Sequence, residues 1–191
     1  MKRAFCRYFT LVELLTVIAV IGVLAAIGFG TYSTAQNKSR ISATRALVEN
    51  VANAFEAARA EVGYMPVTKE GTEKHFRALS IRFSGDAWEL NVKDSTVDAK
   101  FQAAFAKNVD VELLFKFKEG NRTENGKLID SWGNQIYYCY PGVANNAKCS
   151  VISAGPDGSF GTGNNDDPEK LTNVSDYKTS GEWACDDVAN F

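Results

Sequence analysis

The longest apolar run of the chain, FTLVELLTVIAVIGVLAAIGF, covers residues 9–29 and carries one charge, Glu13. As a helix rising about 1.5 Å per residue it is long enough to cross a bilayer core, which takes about 20 residues. The sequence turns polar after Gly30, but the helical spacing continues. Ile41, Leu47, Val48, Val51, Ala54, Phe55, Ala58 and Val62 fall mostly at steps of three and four. Lys38, Arg40, Arg45, Glu49, Asn53, Glu56 and Arg59 fill the other face. No proline interrupts residues 9–62. The pattern predicts one long helix, apolar all round in its first half and amphipathic in its second. Gly63 is placed to cap it, and Pro66 bars its continuation.

Beyond the helix the pattern shortens. Residues 67–79 predict a loop followed by a short helix. Within 83–127 the spacing is ambiguous: 99–106 suits a helix, and 109–117 suits a strand or a helix end. Turn chemistry stands at 118–121 (KEGN), 124–126 (ENG) and 130–134 (DSWGN). QIYYCY at 135–140 predicts a strand ended by Pro141-Gly142, and 150–154 a second, short apolar strand. GPDGSFGTGNNDD at 155–167 is a loop. There is no internal repeat. A long helix followed by short strands makes the fold class α+β.

Composition narrows the function. At 191 residues the chain can build one real core, and its net charge of −2 leaves no basic footprint for nucleic acid, so no nucleic-acid partner is expected. Lys2, Arg3 and Arg7 precede the apolar run, which keeps the N-terminus cytoplasmic and exports the rest. Ala25-Ala26 and residues 28–30 loosely resemble a secretory cleavage site, but the run is long for a signal peptide and includes a carboxylate that a signal does not need.

No GxSxG, HExxH or phosphate-loop motif occurs, so the chain reads as a structural protein rather than an enzyme. His75, the single histidine, sits in a polar stretch, and Trp88, Trp132, Tyr137, Tyr138 and Trp183 read as core or subunit-contact residues. Cys6 falls in the basic leader. Cys139, Cys149 and Cys185 face an oxidising space, where disulfides persist. Cys139–Cys149 would staple adjacent strands; Cys149–Cys185 would pin the C-terminal tail. Either leaves one thiol over.

FTLVELLTVIAVIGVLAAI, with its basic leader and a carboxylate at the fifth position of the run, resembles the N-terminal motif of type IV pilin-like proteins. VGYMP at 62–66, DSWGNQIYY at 130–138 and SAGPDGSFGTGNNDD at 153–167 are similar to stretches of the major pseudopilin of type II secretion systems. The resemblance implies a pilin fold, a long helix on a small antiparallel sheet. It also implies a leader at 1–8, a membrane and assembly segment at 9–30, and a periplasmic domain at 31–191. A prepilin peptidase would cut between Tyr8 and Phe9, and the new amine would be methylated. Tyr8 departs from the small residue that the family carries before the cut, and it would crowd the peptidase.

In a fibre, Glu13 would pair with the Phe9 amine of a neighbour. An unperturbed α-amino group has a pKa near ~7.7–8.0 and is largely cationic. Pairing neutralises both charges in an apolar bundle and sets axial register, and losing one partner of a buried pair costs about 3–5 kcal/mol. Two alternatives stand beside it. Glu13 and Phe9 of one chain lie four apart on one helix face, and a carboxylate near a helix N-terminus is favoured electrostatically without any partner.

The resemblance further implies a structural calcium in the 155–167 loop, held by Asp157 and Asp166, then by Asp167 and the carbonyl of Ala154. The expected role is a subunit of a type II secretion pseudopilus. The implied partners are other copies of the chain, the peptidase, an inner-membrane assembly platform and minor pseudopilins. A type IV or minor pilin for adhesion, motility or DNA uptake is the first alternative. A membrane-anchored monomeric binding domain is the second.

Overall fold

The structure, a computed structural model, describes residues 10–70, 73–84, 87–110, 126–143, 145–160, 178–179, 182–183 and 188–190. Within these, the side chains of 25–31, 69–74, 82–88 and 178–183 are not described. The chain divides into two compact units, Met1–Ser39 and Arg40–Phe191.

Helix α1, Leu11–Val62, is continuous over 52 residues, as the unbroken spacing predicts. Gly63 follows it with φ +87°, a left-handed conformation that a side chain would strain, and its N–H still bonds the Arg59 carbonyl at 2.7 Å. Strands β1 (Lys69–Glu70) and β2 (Glu73–Lys74) pair as a small antiparallel ribbon. Strands β3 (Arg77–Ser84) and β4 (Ala87–Val92) form an antiparallel hairpin. The short helix expected by residue 79 is therefore a strand: Leu79 and Ile81 are buried to either side of half-buried Ser80, which is strand periodicity.

Helix α2, Ala99–Asn108, matches the helix expected near 99–106, and Asp98 caps it by accepting the Phe101 N–H at 2.8 Å. Strands β5 (Ile136–Cys139) and β6 (Ser150–Ser153) fall where the aromatic and apolar runs predict them. Strands β7 (Lys178–Thr179) and β8 (Glu182–Trp183) pair with each other, and β9 (Val188–Ala189) joins β6. Residues 111–117 and the turns expected at 118–121 and 124–125 lie outside the described residues.

The main sheet is antiparallel, in the order β4-β3-β5-β6-β9. Strand β3 changes partner along its length. Arg77 and Ala78 pair with β5, whereas Leu79 and Ile81 bond the backbone at 126–128. Gln135 closes the gap, its Nε2 donating to the carbonyls of Leu79, Leu128 and Ile136.

Both faces of the sheet are covered. One packs against α1 and α2 around Leu47, Val51, Phe55, Phe101, Phe105, Tyr138 and Val151. Phe55 sits at its centre, stacked on Tyr138 with ring centroids 4.2 Å apart and flanked by Phe105 at 4.9 Å. The other face holds Phe76, Cys139, Val143, Ile152, Ala154 and Phe160. Double coverage explains why β5 and β6 read as continuous apolar runs rather than alternating ones. The fold is thus α+β: a long N-terminal helix packed on a small antiparallel sheet.

Candidate functional site

The start of α1 is the first candidate. Thr10 and Glu13 form a capping box, the T-x-x-E arrangement in which each side chain satisfies the other's backbone N–H. Glu13 Oε2 accepts from the Thr10 N–H and from the Thr10 hydroxyl, each at 2.9 Å, and the Glu13 N–H donates to Thr10 Oγ1 at 3.3 Å. Thr16 adds a bond from its hydroxyl to the Glu13 carbonyl at 2.9 Å. Pairing of Glu13 with the Phe9 amine leaves this box out of account, although its signal, Thr three residues before Glu, stands in the sequence. Phe9 and Tyr8 lie outside the described residues.

Within and beyond the box, every large apolar side chain from Leu11 to Leu24 is more than half exposed. They surround the helix rather than forming one stripe, so this segment offers apolar surface in every direction. Among the described residues no helix is long and apolar enough to cross a membrane. The span expected at 9–30 includes Phe9 and the side chains of 25–30, which are outside that description; residues 11–24 alone fall short of the ~20 that a crossing requires.

The second candidate is the DSWGN turn. Asp130 is fully buried, and three donors converge on its carboxylate. Oδ1 accepts from the Trp132 and Asn134 N–H groups, both at 2.8 Å, and Oδ2 from the Ser153 hydroxyl at 2.6 Å. Asn134 reaches on to the Gly155 carbonyl at 2.8 Å, and Ser153 Oγ accepts the Gly155 N–H at 3.2 Å. Gly133 turns the corner at φ +97°. The DSWGN and SAGPDG stretches, separated in sequence, are therefore one hydrogen-bonded unit. It is tied to α1 by Thr44, which is buried and donates from its hydroxyl to Ser131 Oγ at 3.0 Å.

Further contacts hold α1 to the sheet. Glu56 accepts the Cys149 N–H at 2.9 Å, and Arg59 bonds the Ala147 carbonyl with its guanidinium over the Tyr140 ring. The Tyr138 hydroxyl donates to the Pro66 carbonyl at 2.9 Å, and burial pushes its phenol well above the ordinary range. Gly142 packs so closely that a Cβ there would come within 2.6 Å of the Lys148 carbonyl and 2.8 Å of Ser150 Oγ.

The Cys139–Cys149 staple is not formed. The β5–β6 register sets Cys139 opposite Ser150, so Cys149 is one residue out of step, and alternation sends the two thiols to opposite faces of the sheet. Cys149 packs on the α1 side, 3.8 Å from the Ala52 carbonyl, where burial raises its pKa; Cys139 lies in the other cluster beside the Pro141 carbonyl. Cys185 lies outside the described residues.

Of the residues expected to hold calcium, Ala154 is buried, and Asp157 is exposed with Oδ1 accepting the Ser159 N–H at 2.8 Å. Asp166 and Asp167 are outside the described residues. Among the described residues no group of three or more His, Cys, Asp or Glu side chains is arranged to hold a metal.

The long helix on a small antiparallel sheet, with an apolar start and a capped acidic residue in its first turn, is type IV pilin-like. The chain is 26% identical over 158 residues to the type IV major pilin protein PilE of Neisseria gonorrhoeae, covering 80% of this chain and 85% of that protein. No family model matches the chain, and no solved structure matches it.

Proposed function

We propose that the chain is a structural subunit of a type II secretion pseudopilus. It is anchored in the inner membrane through 9–30, cut before Phe9 by a prepilin peptidase, methylated, and polymerised through α1 to help drive protein export. It works without catalysis. The observation that carries the filament reading is the helix start, where ten large apolar side chains are exposed around α1 on either side of a capped carboxylate. Fully burying such a side chain is worth about 1.5–3 kcal/mol, so lipid or neighbouring helices are their favoured surroundings. What supports a pseudopilus in particular is the hydrogen-bonded union of DSWGN with SAGPDG, the stretches similar to major pseudopilins. The likeness to a Neisseria major pilin favours the second reading, a type IV pilin subunit.

The same proposal places a calcium ion on the 155–167 loop, held by Asp157, Asp166, Asp167 and the Ala154 carbonyl. Its expected signature is thermal stabilisation by calcium that disappears in Asp157→Ala.

The deciding experiment joins mass spectrometry of the mature N-terminus with Glu13→Ala. The expected outcome is a methylated Phe9 start, and a Glu13→Ala chain that enters the membrane but not a fibre. Normal fibres from that variant would remove Glu13 from assembly. An intact leader, with no crosslinks between helix cysteines introduced in neighbouring copies, would favour a membrane-anchored monomer.

A further inference from the structure

The stretch that follows the apolar run has an unusual charge pattern. From residue 14 to residue 48 there is no Asp or Glu, and the charges present are Lys38, Arg40 and Arg45. All three side chains are exposed. None of them takes part in the ion pairs Glu56–Arg59, Arg77–Asp94 and Glu61–Lys107 seen among the described residues. Tyr32, just past the end of the run, is 66% exposed, and tyrosine is favoured at the membrane–water boundary.

These cations work against the topology that the leader sets. Orientation follows the excess of Lys and Arg within ~15–20 residues of the span ends. Lys2, Arg3 and Arg7 on one side are matched in number by Lys38, Arg40 and Arg45 on the other. Basic residues that weaken an orientation signal need another source of stabilisation. Along α1, Lys38 follows Gly30 by about 12 Å at ~1.5 Å per residue. The headgroup layer is about 5–7 Å deep on each side, and the Debye length is ~8 Å. A lysine that snorkels back along the helix therefore reaches the phosphate level. Arg40, two residues on, projects from nearly the opposite side of the helix at ~100° per residue. Cations on more than one side suit a helix standing through a headgroup layer, not one lying on it.

We infer that Lys38 and Arg40 bind the phosphates of anionic lipids in the outer leaflet of the inner membrane and hold the subunit upright before it enters a fibre; Arg45, about 22 Å past Gly30 at ~1.5 Å per residue, lies beyond that reach. The inference rests on the proposal that 9–30 spans the membrane. Each Lys or Arg near an anionic surface contributes about fivefold in affinity.

The test takes the full chain in vesicles of phosphatidylcholine alone or mixed with phosphatidylglycerol. Carbonate extraction reports insertion, and native mass spectrometry after solubilisation counts the lipids retained. The expected result is insertion in both, with phosphatidylglycerol retained over phosphatidylcholine. The preference falls at least fivefold in Lys38→Gln/Arg40→Gln, persists in Lys38→Arg/Arg40→Lys and in Arg45→Gln, and fades at high salt. Insertion with no lipid preference, or a preference unchanged by neutralisation, overturns the inference and leaves the subunit reading standing. Failure to insert in either vesicle overturns the spanning reading itself, and the inference with it. Crosslinks from Lys38 to acidic residues of a second copy, without lipid preference, would assign the cations to a protein partner instead.

Discussion

Asp130 is the residue whose removal should cost the fold most for the atoms lost. It is fully buried and accepts three hydrogen bonds at 2.6–2.8 Å. Hydrogen bonds to a charged group contribute about 1.5–3 kcal/mol each, and leaving a buried donor unsatisfied costs about 1–3 kcal/mol. Trp132 and Asn134 are half-buried, so water can partly replace the carboxylate at their N–H groups; the Ser153 hydroxyl is fully buried and has no such relief. The sum for Asp130→Ala, discounted for non-additivity, is about 3–5 kcal/mol. At ~2–4 °C per kcal/mol for a domain of this size, the melting temperature should fall by about 6–20 °C. Asp130→Asn keeps the shape and one acceptor oxygen, and the Ser153 hydroxyl can turn to accept from the new amide. Its cost should be about 1–2 kcal/mol. Thermal melts of the full chain in neutral detergent, followed by circular dichroism, measure both. A shift below ~3 °C for Asp130→Ala, or equal shifts for the two variants, would refute the claim that the converging donors stabilise the fold through this carboxylate.

The Tyr64 hydroxyl bond, followed by the Phe101 N–H, holds the Asp98 carboxyl below its ordinary 3.8, and the same bond raises Tyr64 above 10.0. A depressed folded-state pKa gives stability that is present above the unfolded pKa and lost as pH falls through the folded one. Tyr64→Phe should move Asp98 back up in an NMR titration and shrink the stability lost below pH 3.8; an unmoved Asp98 would contradict the assignment. Cys139 and Cys149 should resist alkylation at neutral pH in the folded chain and react in denaturant, and non-reducing peptide mapping should find no bridge between them.

Much of the fold was legible in the sequence. The three-and-four spacing from Leu47 to Val62 marks the α1 face that meets the sheet, and QIYYC and SVIS mark its central strands. The β3–β4 hairpin was not legible, because Phe76, Leu79 and Ile81 mix three- and two-residue steps. Nor was the burial of Asp130. A DSWGN turn normally sits in water, and Ser153, the residue that draws this one inside, comes from another strand. Cysteine pairing depended on whether residue 139 faces 149 or 150, a one-residue register that composition does not record. The capping box is legible as a pattern, Thr10 standing three residues before Glu13.

That box recasts the assembly chemistry proposed for Glu13. Its carboxylate does not wait unsatisfied for a neighbour, because Thr10 already supplies two donors. Joining a fibre through Glu13 is then an exchange reaction, and its driving force is the difference between two sets of hydrogen bonds. An arriving amine must outcompete a threonine that never leaves, so Thr10, the second residue after the proposed cut, sets the threshold a partner has to exceed.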